Sequence, residues 1–354
     1  MKSRPKPRPP SSVGGRKAEL AWARLDDEAL LDLRFCDLGL RIDGSDLVER
    51  VERLYSELEA RRIELRPHCW LSEEWFSPDG VPGIAIPFYL AHPRLIALED
   101  RMMFDVEGGT PAACMRILRH EAGHAVDTAY RLHRRRDWRR VFGKASKPYP
   151  DYYRPRPGSR RYVLHLNSWY GQSHPSEDFA ETFAVWLAPD SDWQREYEGW
   201  PARRKLEYVD TLMGELAGCK PPVRGRRRIE PLSELRKTLR VHYDEKRARF
   251  ASEHGQAYDR GLRRLFSDSP GRATHETAAE FLRRTRAELR RVVSDMSGEH
   301  EYTVDQVLQE MMLRCRQLQL YRHLGQRKSE EEAAALLAVQ TRNYLENGQH
   351  RFAL

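Results

Sequence analysis

The chain has 354 residues, with 61 Lys and Arg against 53 Asp and Glu and a formal net charge of +8. Its length allows about two domains, at least one with a sizeable core, and a composition of 32% charged and 40% hydrophobic residues argues against a membrane-spanning chain or a small secreted protein, so no membrane partner is expected. A basic excess can bind nucleic-acid phosphates, but +8 spread over this length is a mild bias.

Residues 1–18 are rich in Pro, Ser, Gly and Arg and cannot bury enough apolar surface to order themselves, so a disordered basic tail is expected. The tail lacks the apolar stretch of a secretion signal. Cys36, Cys69, Cys114, Cys219 and Cys315 stand singly with no C-x-x-C pair. Both features lead to the expectation of a cytoplasmic protein with reduced thiols.

Residues 19–220 read as one mixed domain. Short strands are expected near Arg34–Ile42, Ile63–Leu71 and Gly83–Leu90, the last after the turn Ser77-Pro78-Asp79-Gly80. Between the first two, Leu47, Val48, Val51, Leu54, Tyr55 and Leu58 recur at helical spacing behind Asp43-Gly44-Ser45, which offers a cap. Gly108-Gly109-Thr110-Pro111 begins a second helix, with Thr110 as cap and Pro111 where its missing N–H costs nothing, running to about Leu132. A basic stretch, Arg131–Arg140, and a loop, Lys147–Arg161, follow. Their arginines, with Trp138 and Tyr149–Tyr153, suit either phosphate and base contacts or a solvated helix end over packed aromatics. Pro175 and Pro189 bracket a third helix. Residues 221–230 combine Pro, Gly and Arg as a basic linker, and residues 231–354, rich in Leu, Glu, Arg and Ala, read as an α-helical accessory region.

The second helix carries His120-Glu121-Ala122-Gly123-His124. Histidines four apart lie on one helical face and can reach a single ion, with Glu121 beside them where a water would stand. Zinc lowers the pKa of such a water and a neighbouring carboxylate accepts its proton. One Zn²⁺ per chain is therefore expected, with His120 and His124 as ligands and Glu121 as general base; the competing reading is a helix with two surface histidines. The metzincin pattern fails for the third ligand, because its Gly and His positions are Asp127 and Tyr130. A glutamate on a later helix is the remaining common solution. Within residues 174–186, Glu177 and Glu181 share a face while Phe179, Phe183 and Trp186 can enter the core. Glu177 or Glu181 could supply the third ligand, with Asp178 as a further alternative in another helical register. Asp127, His165 and His174 read as salt-bridge, second-layer or cleft groups.

The combination of H-E-A-G-H, Tyr170 seven residues before Glu177, and the run E-D-F-A-E-T-F-A resembles the gluzincin metallopeptidases related to anthrax lethal factor and the Pro-Pro endopeptidases, and bacterial zinc-binding metallopeptidases. The resemblance spans about Gly83 to Pro189. It implies an α+β, zincin-like metallopeptidase domain over residues 19–220, joined to the mostly helical C-terminal region. It further implies Glu177 as third zinc ligand, Glu181 as the carboxylate behind a ligand histidine, and Tyr170 as donor to the oxyanion of peptide hydrolysis. In that fold an edge strand near Gly83, Ile84, Ala85 and Ile86 aligns an extended peptide by main-chain hydrogen bonds, and Pro87, which cannot donate to a ladder, suits such an edge; an ordinary core strand is the equal alternative. The expected function is zinc-dependent peptide-bond hydrolysis with a peptide or protein as partner. Two alternatives stand beside it: a zincin-fold metal-binding regulator without peptidase activity, and a nucleic-acid-associated protein using the basic segments. No oligomeric state is implied.

Overall fold

The computed structural model describes residues 20–150, 152–153, 156, 158–250, 255–270, 275–347 and 350–351; the expected disordered tail, residues 1–18, lies outside them. The architecture is mostly helical with two small sheets, an α+β arrangement. Among the described residues no helix is long and apolar enough to cross a membrane.

The first part of the chain folds as helices α1 (Asp27–Leu31) and α2 (Leu47–Ala60), strands β1 (His68–Ser72) and β2 (Gly83–Pro87), then α3 (Pro93–Met103), α4 (Pro111–Tyr130) and α5 (Arg136–Val141). The strand expected at Arg34–Ile42 is instead a 3-10 turn, Phe35–Leu38, closed by Gly39 at φ +59°. Phe35 and Leu38 are both buried at a spacing of three, so the segment buries one side of a tight helix rather than alternate residues of a strand. β1 and β2 pair in parallel, His68 opposite Gly83 and Ser72 opposite Pro87. β2 stops earlier than expected because Phe88–Ala91 turns into a 3-10 helix.

α4 begins as its sequence dictates: the Thr110 hydroxyl accepts the Ala113 N–H at 3.1 Å and Pro111 takes the first turn. Arg119, buried on this helix, forks onto both oxygens of Glu57 from α2 at 2.7 Å each. After strand β3 (Tyr152–Tyr153), α6 (Pro175–Leu187) starts at His174, whose ring nitrogen caps Ser176 N–H. α6 crosses α4 with little space between the backbones: a Cβ on Gly123 would lie 2.8 Å from Ala180 Cα. The short α7 (Trp193–Glu196) and α8 (Arg203–Leu216) complete this layer.

Residues 221–230 hug the first core. Val223 N–H bonds Ala129 O at the end of α4, and His68, Trp70 and Ser72, alternate residues of β1, reach the carbonyls of Arg227, Ile229 and Glu230 at 2.9, 2.9 and 2.7 Å. Next come α9 (Leu239–Phe250), α10 (Gly255–Leu265), α11 (Ala278–Ser297), α12 (Glu301–Gln317), α13 (Gln326–Asn347) and β4 (His350–Arg351), which pairs with β3. Leu239 and Tyr243 of α9 belong to the first core, whereas α10 to α13 build a second one. That second core receives Phe104, the left-handed cap of α3. The carbonyls left open by the end of α3 are taken up from the bundle: Gln309 bonds Met103 O at 3.0 Å, Arg316 bonds Met102 O at 2.8 Å and also Arg101 O, and Arg286 bonds Phe104 O. The bundle is thereby fixed against the helix that leads into α4.

Candidate metal centre

Two helices with different local logic supply the site. On α4, His120 and His124 lie one turn apart and present their Nε2 atoms to one point, 3.2 Å from each other. Glu177, in the first turn of α6, brings Oε2 to 3.0 Å from His120 Nε2 and 3.1 Å from His124 Nε2. One ligand atom from each of the three lies within 4.8 Å of the others. Two imidazoles and a carboxylate in this compact, largely buried arrangement form a donor set that suits zinc.

The remaining carboxylates separate by their partners. Glu181, fully buried, accepts from His120 Nδ1 at 3.0 Å and from Leu166 N–H at 2.9 Å, fixing the imidazole so that Nε2 faces Glu177. Asp178 turns away to Lys205 Nζ at 2.7 Å; burial pushes its carboxyl up to about 7 against the pull of that ammonium. Of the acidic groups at the start of α6, Glu177 is thus the one facing both histidines. Glu121, 7% exposed, has a buried Oε2 without a hydrogen-bond partner among the described residues, while its backbone carbonyl accepts from Ser77 Oγ at 3.0 Å. Tyr170 stands on a 3-10 turn, Asn167–Gln172, with its ring 5.6 Å from that of His120. Burial, reinforced by Glu177, raises its phenol well above the usual value, which keeps it a proton donor.

Other histidines and acids have local duties. His174 accepts Ser176 N–H at 3.2 Å through Nδ1 and reaches Lys147 O at 2.9 Å through Nε2. His165 reaches Arg116 O at 2.9 Å, and Asp127 accepts His133 N–H at 2.7 Å. In the basic stretch, Arg135 is held by Asp137 and Glu215 at 2.9 Å each, and Trp138 is fully buried beside Phe142 and Phe179, leaving no indole face there for stacking on a base.

The site opens on a cleft of about 1410 Å³ that follows α4 past Ile117, His120, Glu121 and His124. Gln306, Gln309 and Glu310 of α12 and Tyr344 of α13 contribute to its wall. Gly83, Ile84, Ala85 and Ile86 are buried and are not among the residues that line it. The side of β2 away from β1 is used at Ala85, whose N–H donates to Phe76 O at 2.9 Å, and Trp75, Phe76 and Ser77 line the cleft. One site residue had no recognisable spacing in the sequence: Tyr149, from the loop after α5, donates its hydroxyl to Glu177 Oε1 at 2.7 Å and stacks on His174 at 3.9 Å.

Burial opposes charge on His120, but Glu177 and Glu181 outweigh it and raise the imidazolium pKa well above 6.5; His124 is raised as well, mainly by Glu177 against burial. Burial likewise opposes charge on Glu177, yet His124 and His120 hold its carboxyl well below 4.5. In the metal-free chain, the His120 contribution to stability is full below 6.5 and fades as pH rises through the folded value. The Glu177 contribution is full above 4.5 and fades as pH falls through its own folded value, so both are complete between 4.5 and 6.5. A metal ligand must be a neutral imidazole. Metal uptake near neutrality is therefore expected to release protons and to strengthen as pH rises. Calorimetric zinc titrations in buffers of different ionisation heat check this; identical heats in all buffers contradict it.

Residues 114–191, which contain His120, His124 and Glu177, match the model of a family described as "Putative zinc-binding metallo-peptidase". No curated protein and no solved structure matches the chain. The family match supports a metallopeptidase function at that coarse level.

Proposed function

We propose that the chain is a zinc-dependent peptidase of gluzincin type and zincin-like architecture, in which His120, His124 and Glu177 hold one zinc ion. The chain through α9, whose Leu239 and Tyr243 belong to the first core, forms the catalytic domain of this reading, and α10 to α13 form its accessory region. The observation that carries it is the convergence of His120 Nε2, His124 Nε2 and Glu177 Oε2 beside the uncommitted Oε2 of Glu121. Zinc held there supplies a Lewis acid that acidifies water and polarises the scissile carbonyl.

The chain's own groups fill the other roles. Glu121 takes the proton of the attacking water and passes it to the departing amine, which breaks the C–N bond. Tyr170 donates its O–H to the oxygen that gains negative charge as the carbonyl is attacked. Glu181 ties this donor to the metal centre, because its two oxygens hold His120 and the N–H of Leu166 at the head of the Tyr170 turn. Phe76 and Ser77, rather than Gly83–Ile86, offer the main chain along which an extended peptide aligns.

Exposure of a cell extract to the purified chain, followed by identification of new peptide termini, tests the reading. New termini are expected to appear with zinc, disappear with a chelator and return on adding zinc back. Termini that persist unchanged in the chelator contradict a metal-dependent cleavage.

A further inference from the structure

The third ligand of the proposed zinc site uses its two oxygens for different purposes. Glu177 Oε2 faces His120 and His124, whereas Oε1 accepts the Tyr149 hydroxyl at 2.7 Å. We infer that Tyr149 is a positioning residue that holds Glu177 to one-oxygen ligation and so keeps a coordination position open for water.

A carboxylate can bind a metal through one oxygen or both. With two histidines, one-oxygen binding gives three protein ligands and an open fourth position, the pattern of catalytic rather than structural zinc. A phenol O–H bonded to Oε1 competes with a second metal–oxygen bond at that atom and fixes the plane of the carboxylate. Tyr149 is itself held in place. Its ring stacks on His174 at 3.9 Å, and His174 reaches Lys147 O, two residues before Tyr149, at 2.9 Å while capping the helix that carries Glu177. The loop, the cap and the ligand thus form one closed set of contacts, in which Tyr149 reports the position of the start of α6 to the carboxylate.

The inference rests on Glu177 being a ligand, and the test separates the two ideas. Full-length wild type, Tyr149→Phe and Glu177→Ala are compared for Zn²⁺ affinity by competition with a chelating dye, for the visible absorption of the Co²⁺-loaded form, and for kcat and KM on a cleaved peptide. Tyr149 is 46% exposed, so loss of its hydroxyl leaves the fold intact, which the melting temperature of the metal-free variant verifies. Tyr149→Phe is expected to weaken Zn²⁺ by about 10- to 100-fold, to weaken the Co²⁺ absorption as coordination number rises, and to lower kcat more than KM changes. Wild-type affinity and an unchanged Co²⁺ spectrum in Tyr149→Phe, with zinc lost in Glu177→Ala, overturn the role of Tyr149 alone. Wild-type zinc affinity in Glu177→Ala overturns the ligand assignment and this inference with it.

Discussion

Glu121→Gln is expected to lower peptide hydrolysis by about 10²- to 10⁴-fold while the chain still binds zinc. Of the acids on α4 and α6 beside the two histidines, Glu121, Glu177, Asp178 and Glu181 separate by their partners. Both oxygens of Glu181 are engaged, by His120 and Leu166; both of Glu177 are engaged, by the histidines and Tyr149; Asp178 is paired with Lys205. Among the described residues Glu121 Oε2 and Asp178 Oδ1 are both buried without a hydrogen-bond partner, but Asp178 is turned away to Lys205, and only Glu121 stands between the two histidines on α4. An uncommitted carboxylate can accept a proton without first breaking a contact, and its cost of burial is what a catalytic base must carry in the resting protein. Glutamine keeps the shape and removes the basicity. Zinc content by elemental analysis, with turnover measured on the same sample, checks both halves. Unchanged turnover removes Glu121 as the base; lost zinc shows that the carboxylate serves the metal itself.

The parts of this site legible in the sequence were those set by helical geometry. His120 and His124 share a face because 3.6 residues make a turn, Thr110 and Pro111 announce the start of α4, and Glu177 and Glu181 repeat the same spacing between Pro175 and Pro189. What was not legible depends on contacts between distant segments. Tyr149 lies 28 residues from Glu177 in a loop without periodicity, so nothing local distinguishes it from the tyrosines beside it. Gly83–Ile86 reads as an edge strand because Pro87 follows it, yet the backbone of Phe76 folds back to take the Ala85 N–H; the free edge expected from one proline was consumed by a loop. The 3-10 turn at Phe35–Leu38 arises in the same way, since Phe35 and Cys36 donate to carbonyls of Lys237 and Leu235, some 200 positions later in the chain. The anchoring of α10–α13 on the last carbonyls of α3 is also a tertiary feature, made by arginines and a glutamine that in sequence look like any solvated helix face.

Gly123→Ala is the substitution for which local and tertiary physics disagree in sign. Alanine is favoured over glycine inside a helix by about 1 kcal/mol, so α4 taken alone would gain stability. In the folded chain the new Cβ would lie 2.8 Å from Ala180 Cα, 3.2 Å from Ala180 O and 3.3 Å from Ala180 Cβ. Two of these three atoms are main chain and cannot swing aside, so relief requires α4 and α6 to separate. Overpacking of this kind costs about 1–3 kcal/mol, enough to cancel or exceed the helical gain. The larger effect falls on the metal centre. Gly123 adjoins His124, and Ala180 lies between Glu177 and Glu181, so the separation is applied where the two helices exchange the His124–Glu177 contact at 3.1 Å and the His120–Glu181 contact at 3.0 Å. A displacement of about 1 Å at a reacting centre costs on the order of 10²-fold in rate. Gly123→Ala is therefore expected to lose tenfold or more in zinc affinity and about 10²-fold in turnover, with a melting temperature in the metal-free state no higher than that of the wild type. A variant that melts higher and binds zinc as the wild type does would show that helix propensity outweighs the crossing, and that the two helices have room at this point which the 2.8 Å approach denies.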